Sequence, residues 1–194
     1  LGTVRYLALS GLDTAKYEYN YLIDDVVTVD PYAKAVAGKE TWGEKRNITN
    51  HEIRGCFPNR DYDWEGDQCL NIPYHEMILY KLHVRGYTKA NSQIKGKKGT
   101  FQALEEMIPY WQELGINAIE MMPVYEFMET VPEKYSVGSM VSEKNVDKKV
   151  NYWGYTAGYY MAPKRSYSAT NDPTQEFRHL IQAMHKAGIA CILE

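Results

Sequence analysis

Short apolar runs alternate with capped helical segments in the second half of the chain, and this order restricts the possible folds more than any other feature. Residues 77–82, 117–122 and 189–193 are mostly apolar and predict strands buried on both faces. Their alternation with helices is typical of parallel strands joined by crossover connections in an α/β fold. Three strands neither close a barrel nor cover both faces of a sheet. We therefore expect an incomplete domain, whose last strand is still apolar where it reaches Glu194.

Start and stop signals define the two helices. Thr100 and Asp172 are good N-cap residues, because their side-chain oxygens can accept a hydrogen bond from the first turn. Gly115 and Gly188 are placed to end the helices, since glycine readily adopts the left-handed backbone that follows a helix C-terminus. Pro109 conflicts with a continuous first helix, because an interior proline removes a hydrogen bond and kinks or breaks the helix.

The first 60 residues have a different, β-rich pattern. Tyrosines recur at every second position from Tyr17 to Tyr21, which predicts a strand over residues 17–23 with one aromatic face. Asp24 and Asp25 then predict a hairpin turn into the β-branched run 26–29.

Two stretches lack any periodic pattern of apolar residues. Residues 40–60 predict an irregular linker. Residues 125–150 form a second such stretch, and a loop of that length in a compact domain is usually functional or disordered.

Charge and hydropathy exclude two classes of partner. The net charge is −3, whereas a nucleic-acid binder would usually carry a basic face. Lysines cluster within residues 95–98 and 144–149, but the surrounding Gly, Ser and Asn predict solvated loops. No apolar run approaches the ~20 residues that span a bilayer, and no signal peptide is visible at the start. We therefore expect neither a nucleic-acid nor a membrane partner.

Cysteine and histidine spacings predict no metal site and no cofactor. The odd number of cysteines, Cys56, Cys69 and Cys191, fits reduced thiols and a cytoplasmic location better than a disulfide framework. Four of the histidines also lack metal-ligand spacing; they are His51, His75, His179 and His185. His83 falls on a predicted buried strand, so we interpret it as a structural, hydrogen-bonded residue, and His185 suits the C-terminus of the second helix.

Aromatic content is the one unusual feature of the composition. The chain has 17 tyrosines and 4 tryptophans, more than a core of this size requires. Tyrosine offers a flat apolar face and a hydroxyl, so it can stack on a sugar ring and form a hydrogen bond with it. A tyrosine-rich sheet surface would give the same composition, which leaves both interpretations open.

Five segments in order resemble the isoamylase, pullulanase and branching-enzyme side of glycoside hydrolase family 13. The Asn-Tyr-Trp-Gly-Tyr motif at residues 151–155 is the most specific of them. The segments are 17–23 with 29–34, 63–67 with 78–85, 99–102 with 114–124, 151–155 with 163 and 166–168, and 172–177 with 185–188 and 192–193.

This resemblance implies a fold and a domain division. Residues 61–194 would form the N-terminal part of an incomplete (β/α)8 TIM barrel, about its first three strands. Residues 1–60 would form the end of an Ig-like β-sandwich carbohydrate-binding module and a linker. The resemblance also makes the tolerance of Pro109 understandable, since relatives carry a similar Pro-Tyr pattern in this helix.

The resemblance further implies a retaining glycoside hydrolase or transglycosylase acting on α-1,4/α-1,6-glucans. Such enzymes use a carboxylate nucleophile and a carboxylic acid/base on either side of the bond. In the family pattern these acids follow later strands, so we expect no catalytic acid in this chain and no activity of the chain alone. The tempting carboxylates are better explained by solvated loops or helix caps; they are Glu120, Glu126, Glu129 and Asp172.

Barrel enzymes build their sites from loops at the C-terminal ends of the strands. By resemblance, Tyr155 stacks against the sugar at the cleavage subsite, and Trp153 either lines the same wall or packs beneath the loop. Glu194 occupies the family's first conserved acidic position, where relatives have Asp, and Thr156 also departs from the debranching pattern. These departures keep open an alternative function, that of a catalytically inactive glucan-binding relative. A generic α/β sugar-binding protein is a further alternative.

Overall fold

The computed structural model describes residues 6–44, 53–130 and 150–194. Within them, ten short strands and four α-helices form. The strands are β1 Glu18–Tyr19, β2 Tyr21–Ile23, β3 Val26–Thr28, β4 Ala35–Ala37, β5 Arg54–Cys56, β6 Leu79–Leu82, β7 Ala118–Met121, β8 Tyr125–Phe127, β9 Gly158–Pro163 and β10 Ala190–Leu193. The helices are α1 Val84–Lys89, α2 Phe101–Glu105, α3 Ile108–Glu113 and α4 Pro173–Lys186.

A parallel three-stranded sheet is the centre of the second half of the chain. Its strand order is β10-β7-β6, with β7 paired in parallel to both neighbours. Helices lie between consecutive strands of this sheet in the chain, as the alternating pattern predicts, so the α/β class is confirmed. Helical side chains pack against one face of the sheet around Trp111, Leu180 and Met184, all fully buried.

The prediction of three strands buried on both faces is confirmed only for β7. Leu82 is buried in β6, but Leu79 is 47% exposed and Ile78 just before the strand is also exposed. Strand β10 is half-buried. The physical reason is that β6 and β10 lie at the two edges of this sheet, and the helices of the described ranges cover only one of its faces.

Both helix starts follow the predicted capping chemistry. Ala103 N donates to Thr100 Oγ1 at 3.3 Å, and Gln175 N donates to Asp172 Oδ1 at 3.0 Å. Gly115 and Gly188 adopt φ of +73° and +77° at the helix ends. The first helix is divided, however, because α2 ends at Glu105 and α3 begins at Ile108. Pro109 thus lies in a first turn, where a missing N–H is tolerated, and its conflict with a continuous helix disappears.

Small antiparallel sheets make up the first part of the chain. Strands β2 and β3 form the predicted hairpin, with Asp24 and Asp25 both at positive φ. The predicted strand over residues 17–23 is interrupted at Asn20, so that β1 pairs instead with β5. Strand β5 lies between β1 and β4, which contradicts the predicted linker in this part of residues 40–60. Residues 45–52 lie outside the described part of the chain.

The long segment after β7 is also more regular than predicted. Strand β8 pairs antiparallel with β9, although the intervening residues 131–149 lie outside the described ranges. The sheet of β1, β5 and β4 packs against this hairpin, because Ala33 and Val36 share a small buried cluster with Ala162 of β9. The first part of the chain is thereby attached to the second.

Candidate functional site

Charged side chains meet at the C-terminal ends of the three parallel strands. Lys81 of β6 lies opposite Glu120 of β7 in the sheet register, and Glu120 lies opposite Ile192 of β10. Their neighbours Leu82 and Met121 point into the helical core, so the alternation of side chains sends Lys81 and Glu120 to the other face. Glu194 follows β10 immediately. This face and edge are where an α/β sheet usually binds a ligand.

Lys81 holds two carboxylates together. Its ammonium nitrogen Nζ lies 2.6 Å from Glu194 Oε2 and 3.1 Å from Glu120 Oε1. Hydrogen bonds to these carboxylates raise the pKa of Lys81, and the bond from Lys81 lowers the pKa of Glu194. Both groups therefore keep their charges over a wide range of pH around neutrality.

Tyr155 completes this cluster and presents an open aromatic face. Its hydroxyl donates to Glu194 Oε2 at 2.5 Å, and Lys81 Nζ lies 6.0 Å from its ring centroid. The bond to the Glu194 carboxylate raises the pKa of Tyr155, so the hydroxyl stays protonated. The side chain is 53% exposed. The structure thus brings together two of the three residues singled out in the sequence, Tyr155 and Glu194, and adds Lys81 to them.

Trp153 lies on the same loop but has different partners. Its ring packs edge-on against Tyr152 and His83, with centroid distances of 5.1 and 5.8 Å. It is nevertheless 54% exposed, so half of its surface remains open to a ligand.

Hydrogen bonds to backbone groups fix the loop that carries Tyr155. Gly154 N donates to Asn151 Oδ1 at 3.1 Å, and Asn151 N donates to the Glu129 carbonyl at 2.7 Å. The Tyr125 hydroxyl lies 3.0 and 2.9 Å from the carbonyl oxygens of Gly154 and Thr156. Tyr155 therefore stands between two anchored residues.

Gly154 allows the loop to pass close to the Phe127 ring. Its φ is +86°, and a Cβ atom at this position would lie 2.4 Å from a ring carbon of Phe127. We expect Gly154→Ala to lower the free energy of unfolding by about 2 kcal/mol, from left-handed strain and overpacking together. Gly188→Ala is the matched control, because Gly188 has a similar φ but no atom within 4 Å of its Cβ position. Equal losses in denaturant titrations of the two variants would show that the approach to Phe127 is unimportant.

His83 supports the loop from beneath as a structural, hydrogen-bonded histidine, as predicted, although it caps α1 and does not lie on the predicted strand. Gly86 N donates to His83 Nδ1 at 2.9 Å, so the other ring nitrogen carries the proton and donates to the Tyr152 carbonyl at 2.7 Å. The His83 ring stacks on Tyr152 with centroids 4.4 Å apart. Burial lowers the pKa of His83, which keeps the imidazole neutral.

Because His83 is neutral in the folded chain, we expect the chain to lose stability in acid. The unfolded chain binds a proton at His83 as pH falls through ~6.5, whereas the folded chain does so only at lower pH. Stability should therefore fall below pH ~6.5, by up to about 1.4 kcal/mol per pH unit, until the pKa of the folded state is reached. We expect His83→Gln to flatten this part of the pH profile in denaturant titrations, and His75→Gln, an exposed control, to leave it unchanged. A slope that survives in His83→Gln would contradict the assignment.

Glu126 and Glu129 are not solvated loop residues, contrary to the sequence interpretation. Lys164 Nζ lies 2.9 Å from Glu126 Oε1 and 2.6 Å from Glu129 Oε1, and Lys39 Nζ lies 2.9 Å from Glu129 Oε2. All four side chains are buried. Burial raises the pKa of Glu126, whereas the two lysines lower the pKa of Glu129 despite its burial. This buried ion cluster lies directly behind the loop that carries Tyr155, since Glu129 also holds Asn151.

The other two carboxylates lie in or beside regular secondary structure. Asp172 is the N-cap of α4, as predicted. Glu120 lies in β7 rather than in a loop and is ion-paired with Lys81.

Few other site types occur in the described part of the chain. It contains no group of three His, Cys, Asp or Glu side chains that could hold a metal ion. No helix among the described residues is long and apolar enough to cross a membrane. Cys56, Cys69 and Cys191 are unpaired thiols. The lysine-rich run 144–149 and His51 lie outside the described ranges.

Sequence comparison finds relatives among isoamylases and glycogen operon proteins. The chain is 33% identical to isoamylase 1 of Arabidopsis thaliana over 91% of its own length and 23% of that protein. It is 33% identical to the glycogen operon protein GlgX homolog of Haemophilus influenzae, over 98% of the chain and 30% of the relative. No protein-family model matches. The chain thus spans less than a third of the relatives that it matches.

Structural comparison finds pullulanases. A pullulanase from an Anoxybacillus species, complexed with maltotetraose, aligns with 92% of this chain and 25% of its own at a TM-score of 0.60 and 26% identity. A pullulanase mutant from Paenibacillus barengoltzii, also complexed with maltotetraose, aligns with 91% of this chain and 28% of its own at a TM-score of 0.64. Its identity is 23%, so this second likeness concerns the fold alone.

Proposed function

The chain is homologous to a segment of the isoamylases and pullulanases of glycoside hydrolase family 13, and from that premise we propose that its protein acts on α-1,4/α-1,6-glucans. The activity would be that of a retaining glycoside hydrolase or transglycosylase. We further propose a boundary near residue 60. After it, the parallel sheet and its helices would start a (β/α)8 barrel; before it, the antiparallel strands would belong to an Ig-like β-sandwich module.

The open face of Tyr155 beside Glu194 is the observation that carries this proposal. A half-exposed aromatic ring at the C-terminal edge of parallel strands suits stacking on an α-linked glucose ring. The ring is held by its bond to Glu194, which reduces the conformational entropy lost on binding. Trp153 would extend the same wall.

The charges of the cluster suit binding and orientation rather than bond cleavage. A general acid must be protonated before it acts, but the bonds from Lys81 and Tyr155 lower the pKa of Glu194. Glu120 is likewise engaged by Lys81. We therefore propose that these carboxylates hold Tyr155 and Lys81 against the sugar. The catalytic acids would then come from strands that follow this segment in the barrel. The three unpaired thiols suit a reducing compartment, so the cytoplasm remains our proposed location.

Binding of maltotetraose is the direct test. We expect maltotetraose, but not the β-linked cellotetraose, to change the tryptophan fluorescence of the folded chain, since Trp153 lies on the proposed wall. No glucan cleavage should accompany binding to the chain alone. A protein that carries this chain within a complete barrel should cleave or transfer α-glucans. Binding without turnover in that protein would favour an inactive glucan-binding relative, and equal responses to both sugars would contradict the proposal.

A further inference from the structure

A cavity lies away from Tyr155, between the sheet of β1, β5 and β4 and the N-terminal end of α4. Its volume is about 520 Å³, within the range of small-molecule sites. It shares no lining residue with the Tyr155, Glu194 and Lys81 cluster. The lining side chains that matter here are Tyr17, Glu18, Arg54, Cys56, Phe57 and Arg165.

Two ion pairs neutralise four of the charged side chains at this cavity, while Lys16 is paired with Asp13 and Asp172 caps α4. Arg54 is ion-paired with Glu18, and Arg165 Nε lies 3.6 Å from Glu40 Oε1. An ionic ligand would have to compete with these pairs for its counter-charge. Carboxylate oxygens and guanidinium N–H groups nevertheless offer many hydrogen-bond acceptors and donors on the same walls. This arrangement favours an uncharged ligand rich in hydroxyl groups.

Two aromatic side chains add apolar faces to the same cavity. Tyr17 and Phe57 are 54% and 40% exposed. Phe57 is supported from behind by Tyr19, whose ring centroid lies 4.9 Å away and whose hydroxyl donates to Asp30 Oδ2 at 2.7 Å. A supported ring loses little freedom when a ligand stacks on it.

The opposite wall is attached to the buried ion cluster. Arg165 N donates to Glu126 Oε2 at 2.7 Å, and the Arg165 guanidinium donates to the Asn171 carbonyl. The backbone of this wall is thereby fixed before any ligand binds.

We propose that this cavity is a second binding site for an uncharged oligosaccharide, namely another stretch of the α-glucan chain that Tyr155 contacts. The choice of an α-glucan rests on the proposed function. Paired charges, hydrogen-bonding walls and supported aromatic faces together match the alternating polar edge and apolar face of a sugar ring. Two separated contacts on one polysaccharide would also increase its avidity for the protein.

Cys56 provides a direct readout of occupancy, because it lines this cavity and is half-buried. Cys69 is exposed and does not line it, so it serves as the internal control. We expect saturating maltotetraose to slow alkylation of Cys56 by N-ethylmaleimide at least fivefold, measured by mass spectrometry, and to leave Cys69 unchanged. Unchanged alkylation of Cys56 in the presence of a glucan that binds elsewhere would overturn the inference.

A matched pair of tyrosines tests the aromatic contact. Tyr17→Ala should raise the maltotetraose concentration that half-protects Cys56 by about fivefold, which is the effect of losing one aromatic contact. Tyr32→Ala removes another exposed tyrosine that does not line the cavity, and should change nothing. Equal effects of the two substitutions would contradict a contact at Tyr17.

The two proposed binding sites can be refuted independently of each other. Protection of Cys56 should persist in Tyr155→Ala if the cavity binds glucan by itself. A tryptophan fluorescence response to maltotetraose without protection of Cys56 would leave the proposed function intact and refute the second site. Neither response in the folded chain would refute the proposed function, and the glucan assignment of the cavity with it.

Discussion

Lys164→Ala is expected to lower the free energy of unfolding by about 3–5 kcal/mol, the usual cost of removing one partner from a buried ion pair. Lys164 is fully buried and bridges the carboxylates of Glu126 and Glu129. Its ammonium also donates to the Phe127 carbonyl at 3.1 Å and lies 4.0 Å from the Phe127 ring centroid. Without it, Glu126 loses its lysine partner, and Glu129 keeps one lysine, Lys39, and the hydrogen bond from the Ser166 hydroxyl.

Two further variants separate charge from packing. Lys164→Met keeps most of the side-chain volume but removes the charge, so we expect it to be nearly as destabilising as the alanine variant. Lys16→Ala removes an exposed lysine paired with Asp13 and should cost less than about 1 kcal/mol. Chemical denaturation measures all three. A small loss in Lys164→Met would show that the cavity left by the alanine, and not the unpaired carboxylates, dominates.

This buried ion cluster could not be predicted from the sequence. Glu126 and Glu129 stand in a stretch of mixed charge without periodicity, which normally indicates a solvated loop. Their partners come from far along the chain, since Lys39 follows β4 and Lys164 follows β9. Only the packing of the antiparallel sheet against the β8–β9 hairpin brings these four side chains together. A local pattern contains no information on such a contact.

Features governed by local chemistry were predictable, in contrast. The caps at Thr100 and Asp172 and the turn at Asp24 and Asp25 depend on neighbouring backbone groups alone, and the structure confirms them. Strand β5 was missed for the opposite reason. It has only three residues, and one of them, Gly55, is a poor strand former that lies close to the Tyr19 ring.

The candidate site was also predictable only in part. Tyr155 and Glu194 were singled out by resemblance, and the structure shows them in contact. Lys81 was missed, although its signal was present: it is the one charged residue in the apolar run 77–82. A charge on an otherwise apolar strand needs a partner, and the neighbouring strand provides Glu120.

Tyr155→Ala should have the largest effect on function. In a protein that carries this chain within a complete barrel, we expect kcat/KM on an α-glucan to fall about 100-fold, equivalent to about 2.7 kcal/mol. The alanine variant loses the aromatic face and also releases Glu194, which would remain bonded to Lys81 alone. Misplacement of a substrate by as little as 1 Å can cause a loss of this size. The folded chain should at the same time lose affinity for maltotetraose at this site, measured by the tryptophan fluorescence response.

Tyr155→Phe distinguishes the contribution of the aromatic face to binding from that of the hydroxyl group. Phenylalanine keeps the stacking surface but cannot donate to Glu194, so most of the affinity should remain if stacking dominates. Tyr74→Ala is the control, because Tyr74 is 91% exposed and lies outside the cluster. If Tyr155→Phe proves as damaging as Tyr155→Ala, the hydroxyl bond that orders Glu194 and Lys81 matters more than the ring. If neither variant changes affinity or turnover, Tyr155 is not part of the sugar wall, and the proposed function loses the observation that carries it.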